Sequence, residues 1–121
     1  FIQSAGAENL EGRAFITFGG VPPEQLTGKG KTFYDRYKAR YNAEPEAYAV
    51  YAYEAAAVAL DAIKRAGKKD RVAIVEALAG TKEYDGALGT WSFDQNGDIT
   101  RKVMSGNTVK GGKFQFVKVL E

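Results

Sequence analysis

Two pairs of carboxylates are the residues whose types and spacing could do acid–base chemistry. Glu44 and Glu46 flank Pro45, and Asp94 and Asp98 flank a polar turn. A working pair needs one carboxyl with a raised pKa, and that needs burial. Nothing around either pair is apolar enough, so all four are expected to be solvated surface groups. The chain has no histidine and no cysteine. The commonest general base, the thiolate nucleophile and the Cys-zinc site are therefore absent. Asp94-Gln95-Asn96-Gly97-Asp98 places oxygen ligands like the start of a calcium loop. Ile99 stands where that loop requires glycine, and Ser105 where it requires a bidentate glutamate. A turn is expected, with no metal and no cofactor. Gly19-Gly20 is followed by no Gly-Lys-Ser/Thr, so it is not a phosphate loop.

An aromatic cluster remains. Tyr48, Tyr51 and Tyr53 follow Pro45 and open an alanine-rich segment. Free amides and the positive dipole end at a helix N-terminus favour anionic groups. Tyr48 is expected in the first helical turn, as a ligand contact. Tyr51 lies three residues on and shares its face. Tyr53 faces elsewhere and is expected to pack.

The elements around this cluster follow from periodicity. Ala14 to Phe18 reads as a strand stopped by Gly19-Gly20. Val21-Pro22-Pro23 forces extended chain. A helix from about Gln25 to Tyr41 carries Phe33, Tyr37 and Tyr41 on one face. A second helix runs from about Ala47 to Ala66, with Gly67 as its cap. Ala52, Ala55, Ala56, Ala59, Leu60 and Ile63 are expected as its buried stripe, suited to close packing on a sheet or helix. Asp70 is the N-cap of a short third helix through about Leu78, burying Val72, Ile74, Val75 and Leu78. Beyond Tyr84 the chain turns to β: Trp91-Ser92-Phe93 is a short extended piece. Lys102–Val109 and Lys113–Leu120 form a hairpin around Lys110-Gly111-Gly112.

Composition sets limits. The 121 residues make one domain or part of one. Lys and Arg number 17 against 15 Asp and Glu, a balance of +2 that argues against nucleic acid as a partner. No apolar run reaches the ~18 residues a spanning helix needs. Phe1 to Ala7 lacks an initiator Met and a charged leader region, so it is not a signal peptide and is expected to belong to a longer chain.

In this order and spacing the pieces resemble the periplasmic solute-binding proteins of branched-chain amino acid ABC transporters, of the type I binding-protein fold. The resemblance covers nearly all of the chain and matches the C-terminal third of such a protein. Pro45-Glu46-Ala47-Tyr48 through Tyr53-Glu54-Ala55-Ala56 carries it, with Ala62-Ile63-Lys64-Arg65-Ala66-Gly67. The most specific part is Tyr84-Asp85-Gly86-Ala87-Leu88-Gly89 with Phe93-Asp94-Gln95-Asn96-Gly97-Asp98.

The resemblance implies an α/β fold of two lobes. This chain would supply three helices, a short strand and a C-terminal β-hairpin, with an incomplete sheet open to strand swapping. Residues 1–20 would be a strand of one lobe, 21–100 the helical part of the other, and 101–121 the hairpin returning to the first. Ligand-binding residues would be Tyr48, Ala47, Phe18, Gly19 and Tyr51; hinge residues would be Gly20, Val21, Asp98 and Thr100. The function implied is capture without catalysis. A periplasmic or extracytoplasmic protein, lipid-anchored in a Gram-positive, would hold an amino acid or related carboxylate for an ABC permease. Self-association of the fragment is a further expectation. Two alternatives stand: a ligand-sensing regulatory domain of the same fold, and a carboxylate-dependent hydrolase.

Overall fold

The computed structural model describes residues 1–120. Glu121, the last residue of the expected 101–121 segment, lies outside the described residues. In chain order the elements are α1 (Ile2–Ala5), α2 (Ala7–Leu10), β1 (Phe15–Gly19), a 3-10 turn (Pro23–Gln25) and α3 (Gly28–Tyr41). Then come α4 (Ala49–Ala66), α5 (Arg71–Ala79), β2 (Tyr84–Gly86), β3 (Gly89–Trp91), β4 (Met104–Lys110) and β5 (Lys113–Leu120). They form two compact units, one of Phe1–Pro22 with the segment from Lys102 onward, the other Pro23–Arg101.

The first unit is an antiparallel sheet in the order β1-β4-β5. Phe15 pairs with Thr108 and Phe18 with Ser105. The expected hairpin forms, but with a bulge beside Gly106 and Asn107. Paired residues share a face, so Ile16 and Phe18 lie on the side of Ser105, Asn107 and Val109. Val109 and Ser105 are fully buried there. Asn107 Nδ2 donates to Ser105 Oγ at 3.2 Å, so the polar pair is satisfied. The helical turns α1 and α2 correct the expectation of strand alone over residues 1–20. Each is four residues long, too short to show a period, and Gly6 at φ 81° separates them.

The second unit holds α3, α4, α5 and the β2–β3 hairpin. Three expectations of extent are corrected. α3 begins at Gly28, not Gln25, because Pro23 starts a separate 3-10 turn and Leu26 is buried between the two. α4 begins at Ala49, not Ala47, and Tyr48 is its N-cap. Among the described residues the α-helices number five, not three, because of α1 and α2. The caps agree with the sequence. Asp70 Oδ1 accepts from the Ala73 amide at 2.8 Å, and Asn42 and Gly67 take left-handed conformations that end α3 and α4.

The larger correction concerns faces. The buried residues of α4 are Val50, Glu54, Val58 and Ala62. Ala52, Ala55, Ala56, Leu60 and Ile63 are exposed, and Ala59 is only half-buried. Hydrophobicity alone picked the alanine stripe. The structure turns the opposite side inward, because Glu54 finds donors there and Arg65 reaches Asp61, the Ala77 carbonyl and Thr81. On α5, Ile74 and Leu78 are half-buried, while Val72 and Val75 are exposed.

Candidate functional site

Tyr48 sits at the point where a pinned loop meets a helix. The loop after α3 is held by Glu44, whose carboxylate takes Lys38 Nζ at 2.6 Å and the Tyr34 hydroxyl. Pro45 is buried. The Ala49 amide donates to the Glu46 carbonyl at 2.9 Å, and the Ala52 amide to that of Tyr48 at 3.1 Å. Tyr48 is therefore delivered by a fixed backbone, yet its side chain is 70% exposed. It is not in the first turn, as expected, but immediately before it.

The Tyr51 ring lies 6.1 Å from that of Tyr48, inclined at 54°. Burial pushes the Tyr51 hydroxyl pKa up, with a further contribution from Tyr48. It stays a neutral donor–acceptor at ordinary pH. Tyr53 turns away and stacks on Phe33 at 4.9 Å. Ala47 is half-buried beside Tyr48 in the chain. The structure thus brings Tyr48 and Tyr51 together. Phe18 and Gly19 end β1, in the other compact unit. The Phe18 carbonyl accepts from Ser105 Oγ at 3.4 Å.

Three of the four expected hinge residues, Gly20, Asp98 and Thr100, make backbone hydrogen bonds. Gly20 has φ 97° and donates to the Val103 carbonyl at 2.7 Å; Val21 follows it, half-buried. Asp98 closes the polar turn: its amide reaches Asp94 Oδ1 at 3.0 Å, and its carbonyl accepts from the Asp94 amide at 2.8 Å. Thr100 exchanges two hydrogen bonds with Ser92.

The carboxylate pairs have no buried member. Glu44, Glu46 and Asp98 are exposed and Asp94 is half-buried. Lys38, then Tyr34, hold the Glu44 carboxyl below its usual value, the opposite of what a general acid needs. Among the described residues, no group of three or more His, Cys, Asp or Glu could hold a metal.

Sequence reasoning gave no role to Glu54, which is only 3% exposed. Its carboxylate accepts from the Ala87 amide at 2.7 Å, the Leu88 amide at 3.3 Å and Trp91 Nε1 at 2.7 Å. Three N–H dipoles offset the cost of burying the charge. A Cβ on Gly86 would collide with that carboxylate, and one on Gly30 with the Ala87 carbonyl. The Tyr84-to-Gly89 motif is therefore a docking hairpin for α3 and α4. Lys29 on α3 bonds both the carbonyl and the carboxylate of Asp85, at 2.6 and 2.9 Å. One signal was visible in sequence: Glu54 is the only charge between Pro45 and Asp61 apart from Glu46, set four residues from Val50 and Val58.

The arrangement offers an aromatic pair on a rigid seat, Tyr48 exposed and Tyr51 half-buried, and among the described residues neither carboxylate pair is poised to transfer a proton. The model of a family described as "Periplasmic binding protein" matches residues 1–113. A leucine binding protein, LivK, from Thermotoga maritima is 36% identical over 98% of this chain, with a TM-score of 0.82; the match covers 33% of that protein. The substrate-binding protein LivJ of a branched-chain amino acid transporter from Streptococcus pneumoniae, solved with isoleucine, is 31% identical over 98% of this chain. Its TM-score is 0.80, and 33% of its length is covered. The chain thus spans about a third of the length of these structures. No curated protein matches the chain.

Proposed function

Because the chain belongs to the periplasmic binding protein family, we propose that it is part of an extracytoplasmic receptor that captures a small polar ligand, an amino acid or related carboxylate, for an ABC importer. The relatives are substrate-binding proteins. Tyr48 and Tyr51 form one aromatic wall of the ligand site, and Ala47, Phe18 and Gly19 line it. Gly20, Val21, Asp98 and Thr100 lie in the crossovers between lobes. The segments 1–20 and 101–121 belong to one lobe and 21–100 to the other. Closure follows from the ligand favouring the closed arrangement over the open one. The protein holds its ligand unchanged and passes it to a membrane permease.

The observation that carries this reading is Tyr48: a tyrosine 70% exposed on a seat fixed by Glu44, Lys38 and Tyr34. Aromatic side chains left in water on rigid backbone commonly serve recognition. The test grafts this chain in place of the matched third of the Thermotoga leucine binding protein and titrates leucine, isoleucine and valine calorimetrically. Tyr48→Ala is expected to weaken the bound amino acid by about 10-fold or more, a loss of ~1.4 kcal/mol or more. An unchanged Kd, with circular dichroism unaltered, removes Tyr48 from the site.

A further inference from the structure

Helix α5 packs on α4 by one side only. Ile74 and Leu78 are half-buried there, and Arg65 of α4 donates to the Ala77 carbonyl and, at 2.8 Å, to Thr81 Oγ1. Helical spacing puts Arg71, Val72, Val75 and Ala79 together on the other side, and all four are exposed. Val72 keeps 65% and Val75 56% of its surface in water. On a helix of nine residues that makes a short apolar strip with a cation at its start.

The charge leading into the strip is mostly of one sign. Lys64 lies in the last turn of α4, Lys68 and Lys69 in the connection, and Arg71 at the start of α5, all exposed. Among the described residues none of these four comes within ion-pair distance of a carboxylate. Two carboxylates lie nearby. Asp70 Oδ1 is taken by the Ala73 amide at 2.8 Å, and Glu76 is exposed at the edge of the strip. Free cations beside bare aliphatic side chains suit a bilayer surface, where headgroups take the charge and the acyl boundary takes the apolar groups. A purely acidic polymer accounts for the lysines and leaves Val72 and Val75 in water.

We propose that the corner formed by Lys64, Lys68, Lys69, Arg71, Val72 and Val75 is a docking surface for an anionic lipid bilayer. The four cations meet anionic headgroups, and the two valines seat at the acyl boundary between them. Each basic residue beside such a leaflet strengthens binding by about 5-fold, and salt weakens the attraction. The corner lies at the C-terminal end of α4, and Tyr48 caps the N-terminal end of the same helix of 18 residues. At 1.5 Å per residue the two are about 27 Å apart. Docking at the corner therefore leaves the Tyr48 end away from the lipid, so the membrane-held protein keeps that end open to solvent. The surface does not depend on whether Tyr48 touches a ligand.

The test uses the chimera that carries this chain in place of the matched third of the Thermotoga leucine binding protein. Its flotation with vesicles of mixed phosphatidylglycerol and phosphatidylcholine is compared with phosphatidylcholine alone. Binding is expected only to the anionic vesicles, and about 0.5 M salt should abolish it. Lys64→Gln, Lys68→Gln and Lys69→Gln combined should lower the partition coefficient about 100-fold. Val72→Ser with Val75→Ser should lower it about 10-fold at unchanged charge. Equal binding to the two kinds of vesicle, no binding to either, or indifference to the three lysine substitutions overturns the proposal. Indifference to the two valine substitutions overturns it too, since the corner then recognises negative charge in any form and not a bilayer. Should the chimera not fold, the same vesicles and the same two variants are applied to this chain itself, with the same consequences. Leucine affinity, titrated separately, tests the Tyr48 reading and not this one.

Discussion

The indole N–H of Trp91 donates to Glu54 Oε1 at 2.7 Å, joining the N-terminal half of α4 to the end of β3 by one buried hydrogen bond. With the Ala87 and Leu88 amides on the same carboxylate, it ties the loop between β2 and β3 to the helix that Tyr48 caps. The stability of the second unit is expected to concentrate at this point.

Glu54→Ala leaves two backbone amides and an indole N–H buried without acceptors, at about 1–3 kcal/mol each before relaxation. A net loss of about 3 kcal/mol or more is expected. Glu54→Gln keeps one acceptor oxygen but turns an amide donor towards N–H groups, and should cost roughly 2 kcal/mol. Urea unfolding followed by the fluorescence of Trp91, the only tryptophan, checks both. Midpoints equal to the parent would show that the carboxylate contributes nothing.

Gly86→Ala and Gly30→Ala should each destabilise by about 2 kcal/mol or more, since overpacking against fixed groups is costly. The obstacle is the held Glu54 carboxylate in one case and the Ala87 backbone carbonyl in the other. Gly19→Ala has open space and no positive φ, so it should stay within about 0.5 kcal/mol. Thermal denaturation of the three variants gives the ranking, and a Gly86→Ala protein as stable as Gly19→Ala contradicts it.

The Lys38–Glu44 pair predicts a pH dependence at both ends. The Glu44 carboxyl is depressed, first by Lys38 and then by Tyr34, so its contribution is present at neutral pH and fades as pH falls through its folded value. Lys38 is raised, mainly by Glu44, so its part is kept until pH rises through its folded value. Both groups are exposed, and salt should weaken the effect. In a carboxyl NMR titration, Lys38→Met should move the Glu44 midpoint upward, and Tyr34→Phe should move it less. A midpoint indifferent to Lys38 would dissolve the pair.

Asp70→Ala removes the side-chain cap on the Ala73 amide. A loss of about 1 kcal/mol is expected, with Asp70→Asn close to parent. Chemical denaturation separates the two, and equal losses would mean that charge, not capping, matters there.

Much of this molecule was readable from local chemistry. Asp70 capped α5, Gly67 ended α4, and Asp94-to-Asp98 made its turn, because each depends on neighbours within about four residues. The pairing of Tyr48 with Tyr51 followed from helical spacing alone. The short helices α1 and α2 were not readable, since one turn carries no period. Which side of α4 faces inward was not readable either. Local hydrophobicity chose the alanines, but the choice fell to Glu54, whose three donors lie more than thirty residues away on the hairpin. The need for Gly30 and Gly86 became visible only with that approach in place, because a close contact is a property of two segments and neither records it alone.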